Sequence, residues 1–262
     1  MATNNPVNKI WLQKSYYEIA KRGSLDTTHP SFALIKKYGG RAKRILDLGC
    51  GEGTRLSLIK NGKAEKIGVD ISITAIALAK KQYRGIKFVR VGDKLPFNDS
   101  YFDFVYSAFV LEHTRNSEQF IKEAVRVLAP EGILLLVAPN FGSPNRVSPN
   151  NRANRFVKIL RGFGNDLAII FRRNVESLTW QKVKPKLTYS EIDADTTVEP
   201  YLLTLIKFLR GLGVKNVKSS SLWNMEQGLS FSQLPFRPLG MIGLPPFNYW
   251  GPHLLFVGQK YA

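Results

Sequence analysis

Two acids bracket a run of alternating glycines. Asp47 stands just before Gly49-Cys50-Gly51-Glu52-Gly53, and Asp70 follows Gly49 by 21 residues. Glycine accepts unusual backbone angles and lets the main chain approach a ligand without a Cβ in the way. An acid at that distance is where a nucleotide-binding α/β fold places the carboxylate that grips a ribose. The turn reads G-x-G-x-G, not the G-x-G-x-x-G of pyrophosphate binders, so a nucleoside fits it better than a dinucleotide. His113, in Leu111-Glu112-His113-Thr114, adds a side chain suited to proton transfer near neutral pH. Its alternative is a packed polar residue that closes the cleft.

The elements around these residues alternate strand and helix. Apolar residues flanking Asp47 give a first strand over 43–48, and Lys66-Ile67-Gly68-Val69-Asp70 gives a second. Residues 87–91, 102–107 and 132–138 supply three more, and 214–222 and 253–259 the last two. Residues 9–22 predict a helix over the cleft at the glycine turn. Pro30 opens another helix, Thr54–Asn61 a short one closed by Gly62, Ser72 caps a helix to Tyr83, and Ser117 caps one to Leu128. Alternation of this kind implies parallel pairing by right-handed crossovers. Asp99 and Asp103 read as structural, His29 as a loop residue before its proline, and His253 as the start of a strand.

The stretches ILDLGCGEG, GVDIS, FVRVGDKLPFNDSYFDFVYSAFVLEH and VLAPEGILLLVAPN, in that order, resemble the successive motifs of class I S-adenosylmethionine-dependent methyltransferases. The closest resemblance is to the type 11 group that contains quinone-biosynthesis enzymes, and it covers roughly residues 30–140. It implies a Rossmann-like α/β fold, a doubly wound seven-stranded and mostly parallel sheet with a helical insertion after the fifth strand. It also implies S-adenosyl-L-methionine as cofactor and S-adenosyl-L-homocysteine as product. On the matching positions, Asp47 and the backbone of Gly49, Cys50 and Gly51 would hold the methionine part. Asp70 would accept both ribose hydroxyls, Ile71 would lie against the adenine, and Asp93, Lys94 and Ser107 would complete the contacts. The turn carrying Asp93 is two residues shorter than the family's usual one, which bears on the reach of that carboxylate. His113 is the candidate general base.

Composition sets the remaining bounds. The chain of 262 residues can bury one substantial core. The expected organisation is a cap helix over 1–28 and a methyltransferase domain over 29–262, with a basic helical insertion at 140–197 and a Pro/Gly-rich loop at 224–252. No apolar run is long enough to span a bilayer, and residues 1–6 lack the order of a signal peptide. The single cysteine, Cys50, excludes a disulfide and fits a reducing compartment. No histidine, cysteine or carboxylate spacing suggests a metal. The expectation is a cytoplasmic enzyme, peripheral to a membrane in one version of it.

The formal net charge of +18 points to an anionic partner or to general solubility. Residues 146–186 hold ten Lys or Arg interleaved with Phe156, Ile159, Leu160, Phe163 and Phe171, which reads as two short basic amphipathic helices around Gly162-Phe163-Gly164. The favoured acceptor is an oxygen, with nitrogen second, of a small molecule, lipid or glycan. RNA is the alternative for which the charge argues, although no RNA-binding module is present. A subunit that binds the cofactor without catalysis is the other alternative.

Overall fold

The computed structural model describes residues 10–151, 154–186, 193–226 and 233–262. Arg152, the first nine residues, and the stretches 187–192 and 227–232 of the expected insertion and loop lie outside the described residues. The strands form one seven-stranded sheet in the order β3-β2-β1-β4-β5-β7-β6. They are β1 (Arg44–Leu48), β2 (Glu65–Asp70), β3 (Lys87–Arg90), β4 (Phe102–Ala108), β5 (Leu128–Pro139), β6 (Val214–Ser220) and β7 (His253–Lys260). β1 pairs in parallel with β2 and β4, β2 pairs in parallel with β3, and β6 and β7 are antiparallel. The expected mostly parallel α/β sheet is therefore present. The chain divides into two compact units, residues 1–108 with 119–135 and 262, and residues 109–118 with 136–261.

The first unit is built around β1, whose Ile45, Leu46 and Leu48 are buried because parallel strands are covered on both faces. Its helices are α1 (Lys14–Leu25), α2 (Pro30–Gly39), α3 (Thr54–Ser57) and α4 (Ile73–Gln82). His29 caps α2, its Nδ1 accepting from the Ser31 N–H at 3.2 Å, and Ser72 caps α4, its Oγ accepting from the Ala75 N–H at 3.1 Å. α3 is half the expected length. Beyond Ser57 the Asn61 amide leaves helical geometry and donates to the Gly39 and Ala42 carbonyls at 2.9 and 2.8 Å.

Ser117 is the first residue of α5 (Ser117–Val127) rather than the residue before it. Asp103 accepts from the Lys43 and Arg44 amides, and Asp99 pairs with Arg126 at 2.6 Å, the structural roles read for both.

In the second unit α6 (Arg155–Ile170) is one helix of 16 residues where two short ones were expected. An isolated glycine in a helix costs only about 1 kcal/mol, and here one is required. A Cβ on Gly162 would meet Pro144 at 2.5 Å. Asn154 caps α6, its Oδ1 accepting from the Phe156 and Val157 amides. Two buried polar ties hold the helix. The Lys158 ammonium donates to the Phe141 carbonyl at 2.8 Å and to Glu199 at 3.1 Å. Asp166 accepts from the Tyr201 hydroxyl at 2.5 Å and the Trp250 indole at 2.7 Å.

α7 (Leu202–Gly211) follows, and the 224–252 segment contains a short helix, α8 (Phe236–Met241). Phe236, Phe247 and Trp250 stack together, with Phe163 of α6 on Phe247 at 5.9 Å. Asn140 is fully buried. Its amide donates to the Tyr249 and Gly251 carbonyls and its Oδ1 accepts from the Leu202 N–H, so the end of β5 is a structural hub.

Candidate functional site

Gly49, Gly51 and Gly53 all have positive φ, at 86°, 54° and 85°. Side chains would be strained at each, which is why the turn alternates glycine. Gly53 has a second reason: a Cβ there would meet the Phe88 ring at 2.7 Å. Gly51 differs, since nothing lies within 4 Å of its Cβ position, so the turn is bare there. The amides are engaged within the protein. Gly49 and Cys50 N–H both donate to the Val69 carbonyl, at 2.8 and 2.9 Å, and the Gly51 N–H donates to Asp70 Oδ2 at 2.9 Å. With these three amides occupied, they are not available to an anion, and the turn keeps a Cβ-free surface at Gly51.

Three carboxylates converge on this turn. Asp47, buried on β1, accepts from the Tyr106 hydroxyl at 2.6 Å. Burial pushes its pKa up to about 7 against that hydrogen bond, with Glu52 and Asp70 adding like-charge repulsion. Asp70 accepts from the Ser72 N–H at 2.8 Å as well as from Gly51, so both oxygens are held in fixed positions. Burial raises its pKa too, opposed by the amides of Ser72, Gly51 and Ile71. The third is Glu52, which sequence reasoning missed. It is buried, and its Oε1 has no hydrogen-bond partner. An orphaned buried carboxylate oxygen is costly unless a ligand supplies the partner.

The remaining expected residues sort unevenly. Ile71 is a partly exposed apolar side chain directly after Asp70, and the Arg90 guanidinium donates to its carbonyl at 3.1 Å. Ser107 is fully buried on β4, and its Oγ has no partner. Asp93 and Lys94 are both exposed. The turn they share is fixed from below, where Glu123 accepts from the Leu95 N–H at 2.8 Å and Arg126 donates to the Phe97 and Leu95 carbonyls. The segment ahead of α1 sits at the start of α4: Ser72 Oγ donates to the Trp11 carbonyl at 2.7 Å and Thr74 Oγ1 to the Leu12 carbonyl at 3.0 Å.

His113 belongs to the second unit, at the end of a 3₁₀ turn over Leu111–His113. Its Nδ1 lies 3.4 Å from Asp195 and its Nε2 3.7 Å from Glu112. Burial pulls its pKa down, but the carboxylates of Glu112, Asp195 and Asp193 outweigh that and hold the ring above the ordinary histidine value. Glu112 is pushed up to about 8 by burial, His113 opposing and Asp193 adding to the rise, and its Oε2 has no hydrogen-bond partner. The pair thus retains a proton near neutrality. The Glu112 carbonyl accepts from the Thr197 and Val198 amides, which fastens the 3₁₀ turn to the end of the insertion.

A seven-stranded α/β sheet with a left-handed glycine turn after β1 and an acid closing β2 is the arrangement of a nucleoside-binding α/β fold. Comparison with known proteins makes this specific. Residues 46–136 match the family described as "Methyltransferase domain", and this segment is a class I S-adenosylmethionine-dependent methyltransferase domain of the type 11 group. The probable S-adenosylmethionine-dependent methyltransferase Rv3030 of Mycobacterium tuberculosis is 34% identical over 113 residues, 42% of this chain and 41% of that one. The demethylmenaquinone methyltransferase of Tropheryma whipplei is 32% identical over 126 residues, 47% of this chain and 52% of that one. The chain therefore spans about half the length of these curated relatives.

Among solved structures, a possible histamine N-methyltransferase from Thermotoga maritima superposes with a TM-score of 0.54 at 16% identity, over 97% of this chain and 99% of that one. A putative methyltransferase in complex with the Haloferax volcanii Trm112 activator does so with a TM-score of 0.54 at 16% identity, over 95% and 97%. These two likenesses concern the fold alone.

S-adenosylmethionine, the cofactor of this family, fits the donor set of the first unit. Its ammonium and sulfonium are cations, matched by Asp47 and Glu52. Its ribose diol matches the fixed oxygens of Asp70. Among the described residues no helix is long and apolar enough to cross a membrane.

Proposed function

We propose that this protein is an S-adenosylmethionine-dependent methyltransferase acting on an oxygen, with nitrogen second, of a small-molecule, lipid or glycan acceptor. The observation that carries the proposal is the acidic cradle of buried Asp47 and Glu52 and half-buried Asp70 around a bare, left-handed glycine turn. Such a cradle is costly when empty and suits a cationic nucleoside. The relative named demethylmenaquinone methyltransferase supports an acceptor of the small or lipid class.

S-adenosylmethionine supplies a methyl group already activated on a sulfonium. This chain has to orient it and to take the acceptor's proton where the acceptor is a hydroxyl. Asp70 and Ile71 hold the nucleoside end, Asp47 and Glu52 the cationic end, and Asp93, Lys94 and Ser107 line the site. His113 is the base, with Glu112 beside it as the second holder of the proton. The insertion and the 224–252 segment select the acceptor.

Calorimetry with S-adenosylhomocysteine tests the cofactor, and micromolar binding is expected. Transfer of labelled methyl to a panel of quinones, hydroxylated lipids, glycans and structured RNA tests the acceptor. Absence of S-adenosylhomocysteine binding would overturn the whole reading, and label recovered only in RNA would overturn the acceptor class. Because its ring is held above the ordinary histidine pKa of 6.5, His113 as base requires turnover to rise with pH above that value. His113→Ala should lose about 10²–10⁴-fold in turnover with cofactor affinity intact. A variant with near-normal turnover would reassign His113 to packing.

A further inference from the structure

α6 reverses the usual arrangement of a surface helix. Its buried side chain is an acid, Asp166, whereas its large apolar residues face outward: Phe156 is 69% exposed, Leu160 60% and Phe171 88%. Together with Phe163 and Leu167, which are also exposed, they recur at positions 156, 160, 163, 167 and 171. This i, i+4, i+7, i+11, i+15 spacing draws one stripe along one face of the helix, ending on Phe171 at its C-cap. Phe163 also packs on Phe247 and Trp250, and with Lys158, Asp166 and the Gly162–Pro144 contact it anchors the helix, so Phe156, Leu160 and Phe171 are not needed for that. Met241 and Ile242, the last residue of α8 and the one after it, are two more exposed apolar side chains. A row of exposed large apolar side chains along one helix face is the kind of surface that marks an interaction site.

The charge beside the stripe says what kind. At the C-terminal end of α6, Arg173, Arg210 and Lys215 line a cleft of about 640 Å³ with Asn174, Asn216 and Tyr261, and among the described residues no carboxylate contributes to the lining. Arg155, Arg161 and Arg172 are exposed along the same helix and at its end. Apolar residues on one face, cations around it and a basic cleft at the end of the same helix match an interface of acyl chains and anionic headgroups. A nucleic-acid duplex would leave Phe156, Leu160 and Phe171 in water, and stacked bases of a single strand would leave Leu160 there.

We propose that the second unit docks on an anionic phospholipid surface, laying the α6 stripe into the headgroup boundary and taking a lipid phosphate in the Arg173–Arg210–Lys215 cleft. The proposal does not depend on methyl transfer, so the two can fail separately.

Sedimentation of the full chain with vesicles of phosphatidylcholine, alone or mixed with phosphatidylserine, tests it, with S-adenosylhomocysteine binding measured on the same preparation. Binding is expected only with the mixed vesicles and should weaken with salt. The R173Q/R210Q/K215Q variant should bind more weakly by about fivefold per charge, on the order of a hundredfold in all. The F156Q/L160Q/F171Q variant keeps every cation and should also lose binding, which a purely ionic contact would not do. Failure to sediment with the mixed vesicles would overturn the proposal. So would vesicle binding that the apolar variant leaves unchanged, or salt-dependent RNA binding in place of vesicle binding.

Discussion

Replacing Asp70 by alanine perturbs the cradle at its most connected point. The two oxygens accept from the Gly51 and Ser72 amides at 2.9 and 2.8 Å, tying the glycine turn to the start of α4. Each oxygen keeps a second lone-pair direction, and two fixed acceptors side by side are what a cis-diol requires. A hydrogen bond to a charged acceptor contributes about 1.5–3 kcal/mol. Its loss corresponds to a rise of about 10–150-fold in the Kd for S-adenosylhomocysteine. Alanine also strands two amides, so part of any loss could arise from relaxation of the turn. A double-mutant cycle separates the two contributions. Wild type and Asp70→Ala are each titrated by calorimetry with S-adenosylhomocysteine and with its 2′,3′-dideoxy counterpart. If Asp70 grips the diol, the dideoxy ligand should not distinguish the proteins, and the coupling should reach about 1 kcal/mol or more. Additive losses, with the dideoxy ligand penalised by the mutation as much as the natural one, would refute ribose recognition and reduce Asp70 to a brace for the turn.

Asp47 makes cofactor binding sensitive to pH. Its pKa is pushed up to about 7 by burial, and a cation lodged beside it lowers that value, so binding releases a proton. Affinity should be flat above about pH 7 and fall below it by up to about tenfold per pH unit. Calorimetry just below that pH should give an apparent enthalpy that depends on the buffer's ionisation enthalpy, and buffer independence would refute the assignment. Asp166 affects stability instead, since burial raises its pKa from 3.8 to about 6 against the hydrogen bonds from Tyr201 and Trp250. A carboxyl that binds its proton more tightly when folded contributes stability at low pH that is lost as pH rises through that window. Asp166→Asn keeps an acceptor without the charge and should remove this slope in thermal melts. Asp166→Ala should cost about 1–3 kcal/mol for each stranded donor. An unchanged slope in Asp166→Asn would reassign the titration to other groups.

The parts of this fold legible in the sequence were those fixed by local constraint. The glycine turn, the acid that closes β2, the Pro30 and Ser72 helix starts and the alternation of strand and helix all follow from backbone geometry or periodicity. Glu52 escaped because a charged residue inside a turn ordinarily points to solvent, and nothing local signals that this one is buried with an orphaned oxygen. The continuity of α6 escaped for a related reason. Gly162 looks like a break until Pro144, distant in the helix's own frame, is seen to occupy the space of its side chain. His113 was found by type and position. Its ring of carboxylates, two of them contributed by Asp193 and Asp195, could be assembled only by the return of the chain at the end of the insertion.

The charge of +18 has no role in holding the cofactor. S-adenosylmethionine carries a sulfonium and an ammonium against one carboxylate, so a cationic protein repels it at long range, and salt confines that repulsion to about 8–10 Å. Within that distance the local groups decide, and around the glycine turn they are Asp47, Glu52 and Asp70. The surplus cations must be explained elsewhere. Of the ten between 146 and 186, Arg146 is tied to Glu226 and to the Trp250 carbonyl, and Lys158 is half-buried on Glu199. Those two are structural, and neutralising Lys158 would leave Glu199, itself fully buried, without its cation. Removing one partner of such a pair costs about 3–5 kcal/mol. Arg155, Arg161, Arg172, Arg173, Lys182, Lys184 and Lys186 are exposed, and they concentrate on and after the helix that shows its apolar face to solvent. General solubility does not require that coincidence, since cations kept for solubility gain nothing from standing beside exposed Phe156, Leu160 and Phe171. An anionic, partly apolar surface accounts for both features at once.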